Sequence, residues 1–270
     1  MLPKKEAMKM KLNNNVILIT GGTSGIGLAL AQRLADMDNQ VIVLGRTQTK
    51  LDRVLKENPG LVGYQADVSD VATLADLPAW IQTNYPQLNM VINSAGIMRA
   101  YDLLDPDVSV AALTAEVQTN LIGTIAIDKL LLPQLTAQPE ALIVNVSSGL
   151  AYVSSAAHPV YSGTKAAVHM FTSALREQLA YAGDSHVHVL ELVPPMVAET
   201  NLEANANANA TGNMKLSDLI DAAIKGMGND KIRVNAGAAK MLRLAGKIAP
   251  DQIEHRTGKQ MLSQYFPDGL

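Results

Sequence analysis

Six short runs of this 270-residue chain are predominantly apolar on both alternating sets of positions, and stretches long enough for helices separate them. The runs are Val16–Thr20, Gln40–Leu44, Leu61–Gln65, Met90–Asn93, Ala141–Val146 and Val187–Leu192, and none alternates polar with apolar residues over its length. A strand of that kind is covered on both faces, as strands of parallel sheets are when crossover helices flank them. Ile26–Asp36, Gln48–Asn58 and Val71–Tyr85 read as such crossovers. Ser109–Leu132 sets Val110, Leu113, Val117, Leu121 and Ile125 on one helical stripe. Ile232–Val234 would add a further strand. The alternation predicts an α/β chain with a doubly wound, mostly parallel sheet of about seven strands and helices on both faces.

Composition narrows the function classes. Aromatic residues make up only 4% of the chain, so the core must be built from Leu, Ile, Val, Ala and Met. The absence of cysteine excludes disulfides, thiolate metal sites and a cysteine nucleophile. His186 and His188 alternate along a strand without a third ligand at a suggestive spacing, so no metal site is expected. With 22 basic and 25 acidic side chains the net charge is −3, and no basic surface recommends nucleic acid or anionic lipid. No apolar run reaches the roughly 18 residues that span a bilayer, and the opening MLPKKEAMKMKLNNN lacks the apolar core of a secretory signal. The expectation is a soluble cytoplasmic protein with no membrane or nucleic-acid partner. Residues 1–12 read as a flexible leader and 13–270 as a single domain. After Pro194-Pro195, the Ala/Asn-biased tract Asn201–Asn213 carries no hydrophobic stripe and falls at the ligand-binding edge of such a sheet. It reads as a mobile substrate loop over about residues 195–215, acting as a lid.

Thr20 to Gly27 reads TGGTSGIG, directly after the first strand and opening the first helix. Gly21 can turn where other residues cannot, Gly25 lets the main chain approach a pyrophosphate, and Gly27 permits close packing of helix on strand. Thr23, Ser24 and Ile26 complete a turn that points helix N-terminal N–H groups at an anion. No Gly-Lys-Ser/Thr follows, which disfavours a P-loop nucleotidase. Two further loops fall at carboxyl ends of strands. Asp67-Val68 places a carboxylate where it can accept from an adenine amino group, and Asn93-Ser94-Ala95-Gly96 offers small residues beside which a ribose fits. Singly these are a helix cap and a turn; on one sheet edge they outline a dinucleotide site. At the end of the second strand, where NAD sites commonly carry an acidic residue, stand Arg46 and Thr47. A guanidinium there suits a 2′-phosphate, which favours NADP over NAD.

Tyr161 and Lys165 lie four residues apart on a helix, hence on one face. A lysine beside a phenol favours phenolate and is expected to draw the tyrosine below its ordinary pKa of about 10. Ser147-Ser148 ends the fifth strand, where a hydroxyl can meet the same substrate oxygen. His158, Met98, Val153 and Met196 are candidate walls of the cleft by position, and Arg99 reads as a solvated side chain.

Taken in order, TGGTSGIG, NSAG at Asn93–Gly96, Asn120 in TNLIG, VNVSS ending at Ser148 and YSGTK at Tyr161–Lys165 resemble the short-chain dehydrogenase/reductase family. The likeness covers about Lys11 to Leu202. PPMV after the sixth strand and AKMLRLAGKIAP at Ala239–Pro250 are similar to a bacterial subgroup that includes the oxidoreductase encoded with teichoic-acid D-alanylation genes. The resemblance implies a single-domain Rossmann fold and a catalytic tetrad of Asn120, Ser148, Tyr161 and Lys165, with Asn120 supporting a water relay to Lys165. It also implies that Tyr161, Lys165, Pro194, Val197 and Thr200 hold the nicotinamide half of the cofactor. Two departures stand out: the family's Pro-Gly is Pro194-Pro195, and its threonine falls one residue late, at Thr200, with Glu199 in its place. The implied activity is NADP-dependent interconversion of a carbonyl and a secondary alcohol on a small-molecule substrate, with Tyr161 as general acid/base. A non-catalytic NAD(P)-sensing regulator and a nucleotide-sugar epimerase or dehydratase are the alternatives. Members of the family pair through the helices corresponding to Ser109–Leu132, where Ile122, Ile127, Leu130 and Leu131 lie beyond one stripe, and to Tyr161–Ala182. A homodimer or homotetramer is therefore expected.

Overall fold

The computed structural model describes residues 10–197, 199, 200, 202 and 213–270. Strands β1 (Val16–Thr20), β2 (Gln40–Gly45), β3 (Leu61–Gln65), β4 (Leu88–Asn93), β5 (Ala141–Val146), β6 (Val187–Val193) and β7 (Arg233–Asn235) form one sheet. Their order is β3-β2-β1-β4-β5-β6-β7, with parallel pairing throughout. This is the α/β Rossmann arrangement, and the winding reverses between β1 and β4.

Alternation along each strand divides the core in two. Ile17 and Ile19 of β1 face one layer with Leu30, Leu34, Leu51, Val54, Leu219 and Met227. These come from α1 (Gly25–Ala35), α2 (Gln48–Glu57) and α7 (Leu216–Gly228). Leu18 faces the opposite layer with Leu77, Ile81, Ile127, Leu131, Leu175 and Leu179, from α3 (Leu77–Asn84), α5 (Gly123–Thr136) and α6 (Pro159–Ala182). Ile127 and Leu131, expected on an outward face, are thus core residues. After β7 the chain adds α8 (Ala239–Ile248) and α9 (Pro250–Tyr265).

Three elements differ from the sequence expectation, each for a local reason. The stretch Val71–Tyr85 is split: a 3₁₀ turn, Val71–Leu74, is capped where Asp70 accepts from Ala72 N at 3.1 Å, and α3 begins afresh with Pro78 in its first turn. The stretch from Ser109 is α4 (Val110–Glu116), a π-helical segment Val117–Ile122 and then α5. The whole stretch Val110–Thr136 is long and apolar enough to cross a bilayer by length and composition, yet Ile127, Leu131 and Leu135 lie against the sheet. The expected leader reaches into the fold at its end: Met10 is buried in the core and Leu12 O accepts from Asn39 Nδ2 at 2.8 Å. The rest of that leader, residues 1–9, lies outside the described residues.

A polar cluster crosses the middle of the sheet. Asn93 Nδ2 donates to Asp128 Oδ1 at 2.6 Å and to Asn145 Oδ1, its partner in register, at 2.9 Å. Asn145 Nδ2 donates to Asp128 Oδ2 at 2.9 Å and to Thr172 Oγ1 at 3.1 Å. Burial pushes the Asp128 carboxyl up to about 7 against the two amide hydrogen bonds that favour its charge. The native state therefore binds this proton more tightly than the unfolded chain, and the stabilisation it brings is lost as pH rises toward and through about 7. Urea midpoints between about pH 5 and pH 8 should fall in the parent and fall less in Asp128→Asn. Parallel curves for the two proteins would contradict this assignment.

Candidate active site

A cavity of about 430 Å³ runs along the carboxyl edge of the sheet, over the point where the winding reverses. At its centre the end of β1 is tied to the end of β4, because Thr20 Oγ1 accepts from both Ser94 N and Ala95 N at 3.1 Å. Gly21 fits between them: its φ is +66°, and a Cβ there would lie 2.8 Å from Ala95 Cα. Gly27 packs tighter still, since its Cβ would lie 2.5 Å from the Gly21 carbonyl oxygen. At Gly25, with φ +52°, only Thr200 among the described residues comes near the absent side chain, at 3.7 Å. A side chain there would fill the cradle between the helix start and Thr200. Thr23, Ser24 and Ile26 line the same wall.

Arg46 and Thr47 at the end of β2 line the cavity beside Lys50, one turn into α2. Asp67 and Val68 line it after β3, the Asp67 carboxylate accepting from Ser69 N at 2.9 Å and Ser69 Oγ at 2.7 Å. Ala95 and Gly96 continue the wall after β4.

Beyond them stand Ser148, Tyr161 and Lys165, all lining the cavity and all buried. The Ser148 side chain hydrogen-bonds to the Tyr161 phenol and accepts from Leu150 N at 3.1 Å. Lys165 Nζ donates to Val146 O at 2.8 Å and lies 5.6 Å from the centre of the Tyr161 ring. The expected fall in the tyrosine pKa is not found: burial pushes the Tyr161 phenol far above its ordinary value, Ser148 opposes this, and the buried Glu116 carboxylate reinforces it. Burial also pulls the nearby Lys165 ammonium from 10.5 down to about 8. The pair thus holds its proton on the phenol at neutral pH.

Asn120 sits in the π-helical segment, fully buried, and does not line the cavity. It clamps Ile97 by accepting from its N–H at 2.8 Å and donating to its carbonyl at 2.9 Å, and it donates to Thr164 Oγ1 at 3.1 Å. A Cβ at Gly96 would lie 3.5 Å from Asn120 Oδ1 and 3.6 Å from Lys165 Nζ, in ordinary contact with both. Asn93 needs correcting as a cofactor contact. Its position on β4 turns its side chain toward α5 and the Asp128 cluster, away from the cavity. Val153 likewise faces α8, its Cγ2 lying 3.3 Å from where a Cβ at Gly246 would stand, whereas Met98 and Met196 do line the cavity.

Pro194, Val197 and Thr200 line the cavity. The one-residue displacement of the threonine is absorbed at Glu199, whose φ of +62° turns its carboxylate away to accept from Leu216 N at 3.0 Å. Most of the expected lid, residues 198, 201 and 203–212, lies outside the described residues. His186 stands in the turn before β6 and His188 within that strand, bonded to Thr136 O and Asp230 Oδ1 at 3.1 and 2.6 Å. Arg99 is exposed and does not line the cavity. Sequence reading missed Lys50, Ser155, Leu242 and Met261, which also line it. Lys50 stands four residues after Arg46 and was legible by helical spacing; the others reach the site only through tertiary packing.

The chain belongs to the short-chain dehydrogenase family, whose model, described as short chain dehydrogenase, matches residues 15–211. It is 41% identical over 188 residues to the uncharacterized oxidoreductase DltE of Bacillus subtilis, covering 70% of this chain and 73% of that protein. An uncharacterized oxidoreductase of Staphylococcus saprophyticus is 30% identical over 220 residues, 80% of this chain and 92% of that one. Two solved structures share the fold. A short chain dehydrogenase/reductase of Burkholderia phymatum, in complex with NAD, superposes with a TM-score of 0.78 at 20% identity over 92% of this chain and 96% of that one. A short chain dehydrogenase of Burkholderia cenocepacia, in complex with NADP, gives 0.76 at 24% identity over 92% and 99%.

The buried position of Lys165 is directly measurable. In a carbon-detected NMR titration its Nζ should lose its proton near pH 8, well below the exposed lysines at about 10.4. Titration together with the other lysines would contradict the burial described here.

Proposed function

We propose that this oxidoreductase is NADP-dependent and interconverts a carbonyl and a secondary alcohol, with Tyr161 as general acid/base. One observation carries the reading: Tyr161, Ser148 and Lys165 line the same cavity as the glycine turn Gly21–Gly27. That turn fits a dinucleotide, because its missing side chains leave space for a pyrophosphate and the start of α1 turns N–H groups toward it. A bound nicotinamide dinucleotide supplies the hydride in reduction and accepts it in oxidation.

Tyr161 gives its proton to the carbonyl oxygen in reduction and takes it back in oxidation. Ser148, hydrogen-bonded to the phenol, orients that oxygen and favours the charge that builds on it. Lys165 stabilises the phenolate left behind and, held by Val146 O, stands ready for a ribose hydroxyl. Asn120, through Thr164 and Ile97, fixes the helix turn that carries Lys165 against the strand end that carries Gly96. A dimer or tetramer through α4, α5 and α6 belongs to the same reading, supported by the exposed side chains of Val110 and Met170.

Arg46, Thr47 and Lys50 line the end of β2, and Asp67 is the sole carboxylate lining the cavity among the described residues. Two cations beside one another suit a 2′-phosphate better than a ribose diol. The NADP complex of the Burkholderia cenocepacia relative is in keeping with this, and the NAD complex of the Burkholderia phymatum relative indicates that the fold accepts either. A panel of ketones followed by loss of NADPH absorbance tests the reaction. For the cofactor, Arg46→Asp should weaken NADPH binding by about 10-fold or more and NADH binding far less, because it removes one phosphate partner and adds repulsion. Equal losses for the two cofactors in calorimetry would overturn the NADP assignment.

A further inference from the structure

The cavity continues past Tyr161 and Ser148 beneath the carboxyl-terminal helices, where Met98, Leu150, Met196, Leu242 and Met261 line it. Its roof is set by close packing. A Cβ at Gly246 would lie 2.5 Å from the Tyr152 carbonyl oxygen, and one at Gly149 would lie 2.8 Å from Leu242 Cδ1. Glu254 accepts from Ser154 N at 3.1 Å, and the rings of Tyr265 and His158 meet edge to face with centres 4.6 Å apart.

Two polar side chains interrupt this apolar lining. Ser155 and His158 both line the cavity, at 2% and 1% exposure, with Ser155 Oγ 2.9 Å from His158 Nδ1. Their backbone is pinned as well, since Ser155 N donates to Ser162 Oγ and His158 N to Ser155 O, each at 3.0 Å. Lysine and arginine are placed elsewhere. Among the described residues those lining the cavity are Arg46 and Lys50 at the end of β2, and Lys165, whose ammonium donates to Val146 O. The substrate end therefore offers apolar surface and a Ser–His pair, with no lysine or arginine to compensate for burying an anion.

His158 is the N-cap residue of α6, three residues before Tyr161, and both line the same cavity. Two oxygens on a short carbon chain can reach the phenol and the pair together. Resting on the reading of Tyr161 as proton donor, we propose that the substrate is an uncharged, mainly apolar ketone carrying a second uncharged oxygen. That oxygen, keto or hydroxyl, lies one or two methylenes from the reacting carbonyl and hydrogen-bonds to the Ser155–His158 pair. In the reaction the carbonyl carbon takes hydride from NADPH, which leaves as NADP⁺. The oxygen takes the Tyr161 proton, and the second oxygen is unchanged.

Three matched probes test this near pH 7.5 with the full chain and NADPH: methyl butyl ketone, its diketone counterpart acetonylacetone, and the keto acid levulinate. The diketone should exceed the monoketone in kcat/KM by about 10-fold or more, with the keto acid below both. Ser155→Ala and His158→Leu should each bring the diketone-to-monoketone ratio close to unity. A parent ratio near unity, a preference for levulinate, or a ratio unmoved in both variants would overturn the proposal. Calorimetry on the dead-end complex with NADP⁺ gives a readout independent of turnover, and acetonylacetone should bind there more tightly than the monoketone. If it does so while none of the three is reduced, the reading of Tyr161 fails and the substrate class stands. If it does not, the substrate class fails.

Discussion

The hydroxyl of Thr20 holds the molecule's working edge together. By accepting from two successive backbone amides after β4, at 3.1 Å each, it fixes the separation of the two strands between which the winding reverses. The crevice exists because helices leave those strands toward opposite faces of the sheet. The glycine turn fills the near side of that crevice at contact distances that leave no room for a side chain at Gly21 or Gly27. The loop after β4 that lines the cavity is tied to the end of β1 through this junction.

Burial then sets the chemistry. Tyr161, Lys165 and His169 recur at intervals of four along α6 and face the end of β5. Behind them Glu191 is fully buried on β6. Burial alone would raise its carboxyl, but hydrogen bonds from His169, Ser147 and Arg233 overcome this and hold it below the usual range. Through Ser147 it anchors the residue next to Ser148, at 2.6 Å, so a compensated charge braces the strand end that presents the serine. The phenol itself is not compensated in this way. Its proton is therefore held firmly, and its loss depends on charge brought into the cavity.

Much of this was legible in the sequence. Apolar runs marked β1, β3 and β5 to the residue; β1 and β5 are interior strands almost wholly buried on both faces, whereas β3 is a half-buried edge strand. The glycine turn and the Tyr–Lys spacing located the site, since backbone clearance and helical periodicity are local properties. What escaped was set by distant contacts. Asn93 belongs to a motif that borders the cavity, but its side-chain direction follows from the register with Asn145 and the carboxylate of Asp128. The raised tyrosine follows from how completely the fold buries it, and no spacing rule reports desolvation. Leu242 and Met261 come from helices that follow the last strand, and only the packing of Gly246 on Tyr152 brings them over the site.

The central claim is that one phenol transfers the proton. Single-turnover reduction by Tyr161→Phe, with NADPH prebound and a ketone that the parent reduces, measures that step alone. The ring and its packing are kept and only the transferable proton is removed. NADPH affinity should stay within about twofold of the parent while the reduction rate falls by about 100-fold or more. Reduction at close to the parent rate would show that the proton comes from another group.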